Sequence, residues 1–392
     1  MKKRLLILGA SEFQVPFIKK AKELNAYIGI IDIDKNAPGI KFADEFFNCS
    51  LLEKELILKI AKKFRAEGIT VGTCETGVVT AAYVAEKMNL PFYSLAVARR
   101  ATDKILMIEA FHRNGVAAPK YEVLRQGDKI TTNIAYPVIT KPADKSASRG
   151  IHFAECEEDL KKAVKISMEA SDTKEVLIEE YMEGAEVSVE LGVEGNEPIA
   201  LQITDKITTG SPSYIEIGQA QPANLSEEAK KEVTELACSA AKAVELTNCA
   251  GHAEIKLTPT GPKMVEIGGR MGGHYVDAEL LENSIGYKLQ EAVIRYALGE
   301  PFILKKNEAI GATAMKCILS DKGKIRKIEG LDLAESISGV LKVVMKCKVG
   351  EVYHKGTSNN DLIGFVVACS ETEEQALSIC DEALEKIVIE YV

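Results

Sequence analysis

The sequence lacks the features that define several protein classes. Its apolar runs all stay shorter than the about 18 residues needed to cross a membrane. Its nine cysteines include no C-x-x-C pair, and the nearest are 238/249 and 369/380. We therefore expect buried thiols in a reducing cytoplasm, not a metal–thiolate site. The net charge of −9 argues against nucleic acid or an anionic membrane surface as a partner.

Two common nucleotide-binding motifs are also absent. The first glycine turn reads GASEFQ at 9–14, not G-x-G-x-x-G, and no G-x-x-x-x-G-K-[ST] phosphate loop occurs. The turn and Asp32, at the end of the second predicted strand, only imitate a dinucleotide site. We therefore favour a Rossmann-like scaffold that binds something other than NAD(P).

The N-terminal region shows alternating strands and helices. The full chain of 392 residues is long enough for roughly two to four domains, and this region is the first. Strands are predicted at 4–8, 27–31 and 69–74, with helices at 15–24 and up to residue 88. This alternation indicates a parallel sheet covered by helices on both faces. Ser11 and Glu75 lie at the C-terminal strand ends, where such sheets bind ligands. Glu75 either meets a substrate amine or caps a helix.

Lys141 is a cation inside an apolar strand. A helix is predicted over 99–114, and it contains Lys104; the strand over 135–142 follows. Burying the charge of Lys141 is costly unless it meets an anion. The loop at 143–150 (ADKSASRG) either offers backbone N–H groups and Arg149 to a phosphate or forms an ordinary surface turn.

Carboxylates interrupt the later predicted strands. Residues 175–193 form two strands broken near Gly184, and 251–258 and 262–269 form a hairpin with one acid in each strand. These acids, Glu254 and Glu266, either bind a hard cation together or face water. Arg270 follows among glycines and is either functional or an exposed turn residue. Further strands are predicted at 310–319 and 359–370, with a helix at 371–387.

The order and spacing of these residues resemble the ATP-grasp superfamily of ATP-dependent carboxylate–amine ligases. The resemblance implies an α/β and α+β chain with a Rossmann-like parallel sheet, a two-subdomain ATP-grasp fold and a mixed C-terminal region. It places these domains at 1–97, 98–300 and 301–392, with a small lid subdomain at about 112–182. The last domain resembles that of the biotin-carboxylase-like branch.

The resemblance also implies roles for individual residues. By this resemblance, Lys104 and Lys141 contact the phosphates of ATP, and the flap over the phosphates contains Ser146, Ser148, Arg149 and Gly150. Glu179 and the backbone of Glu180 and Met182 contact adenine, and Glu186 binds the ribose. Glu254 and Glu266 bind magnesium, Arg270 contacts the transferring phosphoryl group, and Ser11, Glu75 and His274 contact the substrate. Many family members have Asn where this chain has Gly268, which leaves open whether one or two metal ions bind. Manganese is an alternative to magnesium.

The implied activity is ATP- and Mg2+-dependent activation of a carboxylate as an acyl phosphate, followed by attack of an amine. Among such ligases, the resemblance points first to L-amino-acid ligases acting on amino-acid-like substrates. Purine-biosynthesis ligases of the phosphoribosylglycinamide synthetase or formyltransferase type come second, because residues 34–45 (DKNAPGIKFADE) look similar to theirs. An NAD(P)-dependent oxidoreductase or a non-catalytic nucleotide-binding protein is a third alternative. A small-molecule carboxylate and amine are the expected partners in the cytoplasm, and a homodimer is left open.

Overall fold

The structure is a computed structural model that describes residues 2–145, 149–210, 215–273, 276, 280–309 and 311–392. The chain divides into two compact units. Unit 1 comprises 1–200, 228–274 and 289–304, and unit 2 comprises 201–227, 275–288 and 305–392. Within the described ranges, no helix is long and apolar enough to span a membrane. The domain limits given above remain a prediction.

Unit 1 begins with the predicted parallel sheet, in the strand order β3-β2-β1-β4. The side chains of residues 5–8 are completely buried in its centre. Asp32 accepts a hydrogen bond from the Ala10 N–H (2.7 Å), so this acid fixes the glycine turn itself. The elements are β1 (Arg4–Leu8), α1 (Val15–Glu23), β2 (Tyr27–Asp32), β3 (Glu45–Asn48), α2 (Lys54–Phe64), β4 (Gly68–Val71) and α3 (Val78–Met88).

The helix predicted over 99–114 is wrong as a single element. Two helices occupy this segment. The first, α4 (Leu95–Arg100), begins before residue 99 and ends at Arg100, and the second, α5 (Lys104–Arg113), begins after a break of three residues. The cause is Asp103, whose carboxylate accepts hydrogen bonds from the N–H groups of Ile105 (2.9 Å) and Leu106 (3.1 Å). This N-cap starts a new helix and places Lys104 in its first turn.

A second four-stranded sheet follows, with the strand order β5-β8-β6-β7 and antiparallel pairing throughout. Its apolar face packs against one helix through Val138, Ile178, Leu160 and Val164. The elements are β5 (Tyr121–Arg125), β6 (Val138–Pro142), β7 (His152–Ala154), α6 (Glu157–Ala170) and β8 (Glu175–Glu180).

The predicted hairpin pairs with a further strand in unit 1, giving the order β13-β12-β9. All neighbours are antiparallel, so residues in register present their side chains on the same face. The elements are β9 (Ala185–Glu194), α7 (Glu227–Ala243), β12 (Cys249–Thr258), β13 (Gly261–Gly268) and α9 (Leu289–Ala297).

Unit 2 contains an antiparallel sheet in the order β10-β11-β14-β18-β16 and a three-stranded sheet in the order β17-β15-β19. The predicted strands and helix near the C-terminus are present with shifted ends. The elements are β10 (Glu197–Thr208, whose first residues belong to unit 1), β11 (Glu216–Gln221), α8 (Leu281–Ile285), β14 (Ala312–Leu319), β15 (Gly323–Glu329), α10 (Leu331–Glu335), β16 (Val340–Met345), β17 (Val352–Tyr353), β18 (Leu362–Ser370), α11 (Glu373–Lys386) and β19 (Val388–Tyr391).

The cysteines are all free thiols, as expected, but they are less buried than predicted. Cys49, Cys249, Cys347 and Cys380 are buried, whereas Cys156 is exposed. The other four are partly buried.

Candidate active site

The candidate site in unit 1 is a row of polar side chains on one face of strands β9, β12 and β13. Glu254 is in register with Ser188 of β9 on one side and with Glu266 of β13 on the other. His252 is in register with Glu190, one step further along the same face. Because side chains alternate along a strand, these groups share one side of the sheet.

The two proposed metal acids have different surroundings. The Glu266 carboxylate forms an ion pair with Lys104 (Nζ–Oε2 2.6 Å), and the positive charge of Lys104 lowers the pKa of Glu266. Glu254 lies opposite it in the register. Among the described residues, no three His, Cys, Asp or Glu side chains are grouped to hold a metal ion. Two carboxylates nevertheless fit magnesium, which is commonly held by one or two carboxylates together with substrate phosphates.

Lys141 finds its anion within the protein. Its Nζ lies 2.6 Å from Glu179 Oε2, and the two side chains are only 9% and 5% exposed. The strand pairing explains the contact. Ile139 of β6 is in register with Glu179 of β8, and Lys141, two residues further along β6, has its side chain on the same face of the sheet. The Glu179 carboxylate is therefore paired with the lysine. A phosphate that reached Lys141 would share its ammonium group with Glu179.

The segment predicted to contact adenine and ribose carries two further ion pairs. Lys263 pairs with Glu180, and Lys256 pairs with Glu186 (3.3 Å). The Glu180 N–H donates to the Lys120 carbonyl (3.0 Å), so this donor is not available to a base. A backbone contact from Glu180 to adenine would have to use its carbonyl oxygen.

The remaining predicted residues are placed as follows. Arg149 and Ser11 are exposed, and Met182 is half-buried between β8 and β9. The carbonyl of Gly150 accepts a hydrogen bond from the Ser167 hydroxyl (2.7 Å). Three predicted residues lie outside the described part of the chain: Ser146, Ser148 and His274.

Arg270 is partly buried, and Glu75 is its carboxylate partner. Arg270 Nη2 lies 3.1 Å from Glu75 Oε2, with the side chains 13% and 18% exposed. Its Nη1 donates to the Met271 carbonyl (2.9 Å), whereas its buried Nε has no acceptor among the described residues. Burial alone would lower the pKa of Arg270, but the charge and hydrogen bond of Glu75, together with the charges of Glu266 and Glu254, raise it. The turn therefore holds a fixed cation whose Nε–H group has no acceptor in the part of the chain that the structure describes.

The glycines around Arg270 let the protein's own side chains approach the backbone. The Tyr93 hydroxyl donates to the Gly269 carbonyl (2.6 Å), and a Cβ added at Gly269 would lie 2.9 Å from that hydroxyl oxygen. Tyr93 also lines a cavity of about 30 Å³ beside Gly269 and Arg270. That cavity has room for water but not for an amino acid.

Sequence reasoning missed a buried pair beside the proposed metal acids. His252 Nδ1 donates to Glu190 Oε1 (2.6 Å), and His252 Nε2 lies 3.7 Å from Glu254 Oε1. Burial would lower the pKa of His252, but the Glu190 charge and hydrogen bond raise it to about 10. The signal was present, because His252 precedes Glu254 by two residues in the same strand.

Comparison with known proteins agrees with this arrangement. Residues 134–277 match the ATP-grasp domain, and residues 316–392 match the L-amino acid ligase C-terminal domain 2. The chain contains an ATP-grasp domain. Enzymes with this domain use ATP and a divalent metal ion.

Similar proteins include both ligases and solved structures. An L-arginine-specific L-amino acid ligase of Bacillus subtilis is 22% identical, over 95% of this chain and 94% of its own length. An L-amino acid ligase of Bacillus licheniformis has a TM-score of 0.85 at 19% identity, covering 100% of this chain and 99% of that one. Phosphoribosylglycinamide synthetase from Anaerococcus prevotii has a TM-score of 0.83 at 23% identity, with both chains fully covered.

Several other curated ligases are about twice as long as the region they share with this chain, which spans 42–51% of their length. Together, the matched domains and the ligase relatives support an ATP-dependent carbon–nitrogen ligase that joins a carboxylate to an amine.

Proposed function

We propose that this ATP-grasp ligase activates the carboxylate of an α-amino acid as an acyl phosphate, which the amine of a second amino-acid-like molecule then attacks. The Arg270–Glu75 pair carries this proposal. An α-amino acid bears a carboxylate and an ammonium group on neighbouring atoms, and this pair offers one charge of each sign 3.1 Å apart. The Arg270 guanidinium would donate hydrogen bonds to the substrate carboxylate or to the transferring phosphoryl group.

Arg270 is proposed as the catalytic residue. A guanidinium fixed by Glu75 and by the Met271 carbonyl needs little reorganisation when negative charge develops on the phosphoryl and acyl oxygens. Its planar fork can also hold two oxygens at once. Glu75 then holds both the guanidinium and the substrate ammonium group.

The neighbouring residues are proposed to hold nucleotide and metal. Lys104 and Lys141 would bind the phosphates, Glu186 would bind the ribose hydroxyls, and Glu254 and Glu266 would bind Mg2+. When bound, the metal ion supplies Lewis-acid polarisation of the phosphoryl oxygens. The lysines are already held close to carboxylates, so their Nζ groups are placed before the nucleotide arrives.

The purine-type alternative has its support in the likeness to phosphoribosylglycinamide synthetase, which at 23% identity shows the fold alone. Neither alternative uses a dinucleotide at the N-terminal turn, because Asp32 bonds the Ala10 and Asp34 N–H groups (2.7 and 2.8 Å). An oxidoreductase is therefore not proposed.

The test is a screen for nucleotide-dependent product formation. Purified protein is incubated with Mg2+ and ATP and with pairs of amino acids, and separately with purine intermediates, while phosphate release and amide product are measured. We expect release with at least one amino-acid pair and none with the Glu75→Gln, Arg270→Ala double variant. Turnover confined to purine intermediates would contradict the amino-acid assignment, and binding of NADH without ATP turnover would contradict the ligase itself.

A further inference from the structure

Glu190 is an acid in the interior of strand β9 that no proposed role uses. The residue is completely buried, and its Oε2 has no hydrogen-bond partner among the described residues. A buried carboxylate with an unsatisfied oxygen is costly, so its place needs an explanation. Its other oxygen lies 2.6 Å from the imidazole of His252 and also accepts a long hydrogen bond from the Ser188 hydroxyl (3.5 Å).

His252 lies between this acid and the site. Its Nε2 is 3.7 Å from Glu254 Oε1, while its backbone is in register with Gly268 of β13. A Cβ added at Gly272 would lie 2.8 Å from His252 Nδ1 and 3.0 Å from Glu190 Oε2. The backbone after Arg270 therefore packs directly on the pair and limits the room in which the imidazole can turn.

We infer that Glu190 and His252 form a positioning pair that fixes the Glu254 carboxylate for metal binding. The inference rests on the proposed function, in which Glu254 is a metal ligand. Glu190 holds the imidazole through Nδ1, and the other ring nitrogen then limits the orientation of Glu254 toward Glu266. Partners of this kind orient ligating groups and typically contribute about 10–100-fold to metal affinity.

Orientation and simple electrostatics predict opposite outcomes, which makes the inference testable. The substitution His252→Asn leaves the negative charge of Glu190 in place, so electrostatics alone would strengthen cation binding. Loss of orientation would weaken it. The substitution Glu190→Gln removes the charge but keeps an amide oxygen that can accept from Nδ1, so orientation predicts only a small loss.

The experiment measures the affinity of a non-hydrolysable ATP analogue by calorimetry, with and without Mn2+ as the probe ion. The ratio of the two affinities isolates the contribution of the metal. We expect His252→Asn to lower this ratio about tenfold or more, and Glu190→Gln to lower it about threefold. Affinity without metal should stay unchanged. The double variant should match His252→Asn alone, because Glu190 acts only through the imidazole.

Two controls separate the inference from the proposed function. His112→Asn changes a histidine whose Nε2 lies 2.9 Å from the Pro119 carbonyl and should leave the ratio unchanged. Glu254→Gln should abolish the gain from metal. If Glu254→Gln behaves as wild type, the proposed metal site is wrong. If it loses the gain while His252→Asn keeps it, only the positioning pair is wrong.

Wild-type protein provides a measurement that does not depend on the folding of variants. In ¹⁵N-histidine NMR spectra, adding Mg2+ with the analogue should shift the His252 ring signals more than adding the analogue alone. The signals of His112 should not move. Unshifted His252 signals would overturn the inference.

Discussion

Replacing Arg270 with alanine should slow the chemical step far more than it weakens nucleotide binding. The guanidinium is 13% exposed and fixed by Glu75 (3.1 Å) and the Met271 carbonyl (2.9 Å), so it acts as a preorganised donor. Removing one such donor typically costs about 3 kcal/mol of transition-state stabilisation, or roughly a hundredfold in rate. Affinity for ATP should change by less than about threefold.

The assay is single-turnover ADP formation at saturating ATP, beside ATP affinity measured separately. Arg270→Lys should recover only part of the rate, because a point charge cannot reproduce a two-oxygen fork. Arg326→Ala is the matched control, since that arginine is 64% exposed and also pairs with a glutamate. Thermal unfolding of each variant shows whether the fold is intact.

Two results would refute the reasoning. Near-wild-type turnover in Arg270→Ala would remove its catalytic role. Equal losses in rate and in affinity would make it a binding residue, because only an interaction stronger in the transition state lowers the rate selectively.

Three further outcomes are expected. Lys141→Ala should weaken ATP binding at least about tenfold and lower the melting temperature, because Glu179 is left buried without its cation; calorimetry and thermal unfolding measure both, with the exposed Lys161→Ala as control. Glu254→Gln and Glu266→Gln should each abolish turnover, and full activity in either would show that the acid is not a ligand. Metal-free nucleotide affinity should stay unchanged in Glu254→Gln but not in Glu266→Gln, because Glu266 also holds Lys104 (2.6 Å). Tyr93→Phe should destabilise the fold by about 1 kcal/mol in denaturant unfolding, because the Gly269 carbonyl loses its hydroxyl donor, and unchanged stability would show that this bond contributes nothing.

The sequence was most informative where local pattern decides structure. Alternation of apolar and polar residues located the strands around Glu254 and Glu266. The spacing from the turn alone would set Glu254 opposite Val265, and a register shift between Glu254 and Ile255 brings it opposite Glu266. The free-energy cost of burying a lysine correctly predicted that Lys141 has an anionic partner. Its partner could not be predicted, because Glu179 reaches it only through the register of β6 with β8, which are separated in sequence by β7 and α6.

A local helix cap and a tertiary contact explain the other two failures. The break in the predicted helix over 99–114 depends on one side chain, Asp103, that bonds backbone groups which an uninterrupted helix would use internally. The surroundings of Glu190 could not be predicted, because they depend on a tertiary contact. An acid in an alternating strand normally faces water, and only the pairing of β9 with β12 buries it against His252.

The division of the chain into interleaved segments has a consequence for its synthesis. Unit 1 draws on residues 1–200, 228–274 and 289–304, so it is not complete until residue 304 has left the ribosome. The strands that carry Glu254 and Glu266 are made only after a first segment of unit 2, at 201–227, has emerged. Neither unit can be removed by cutting the chain once, and early contacts must wait for distant partners, a topology that slows folding. The nascent chain therefore exposes the unpaired edge of β9 until β12 has been synthesised.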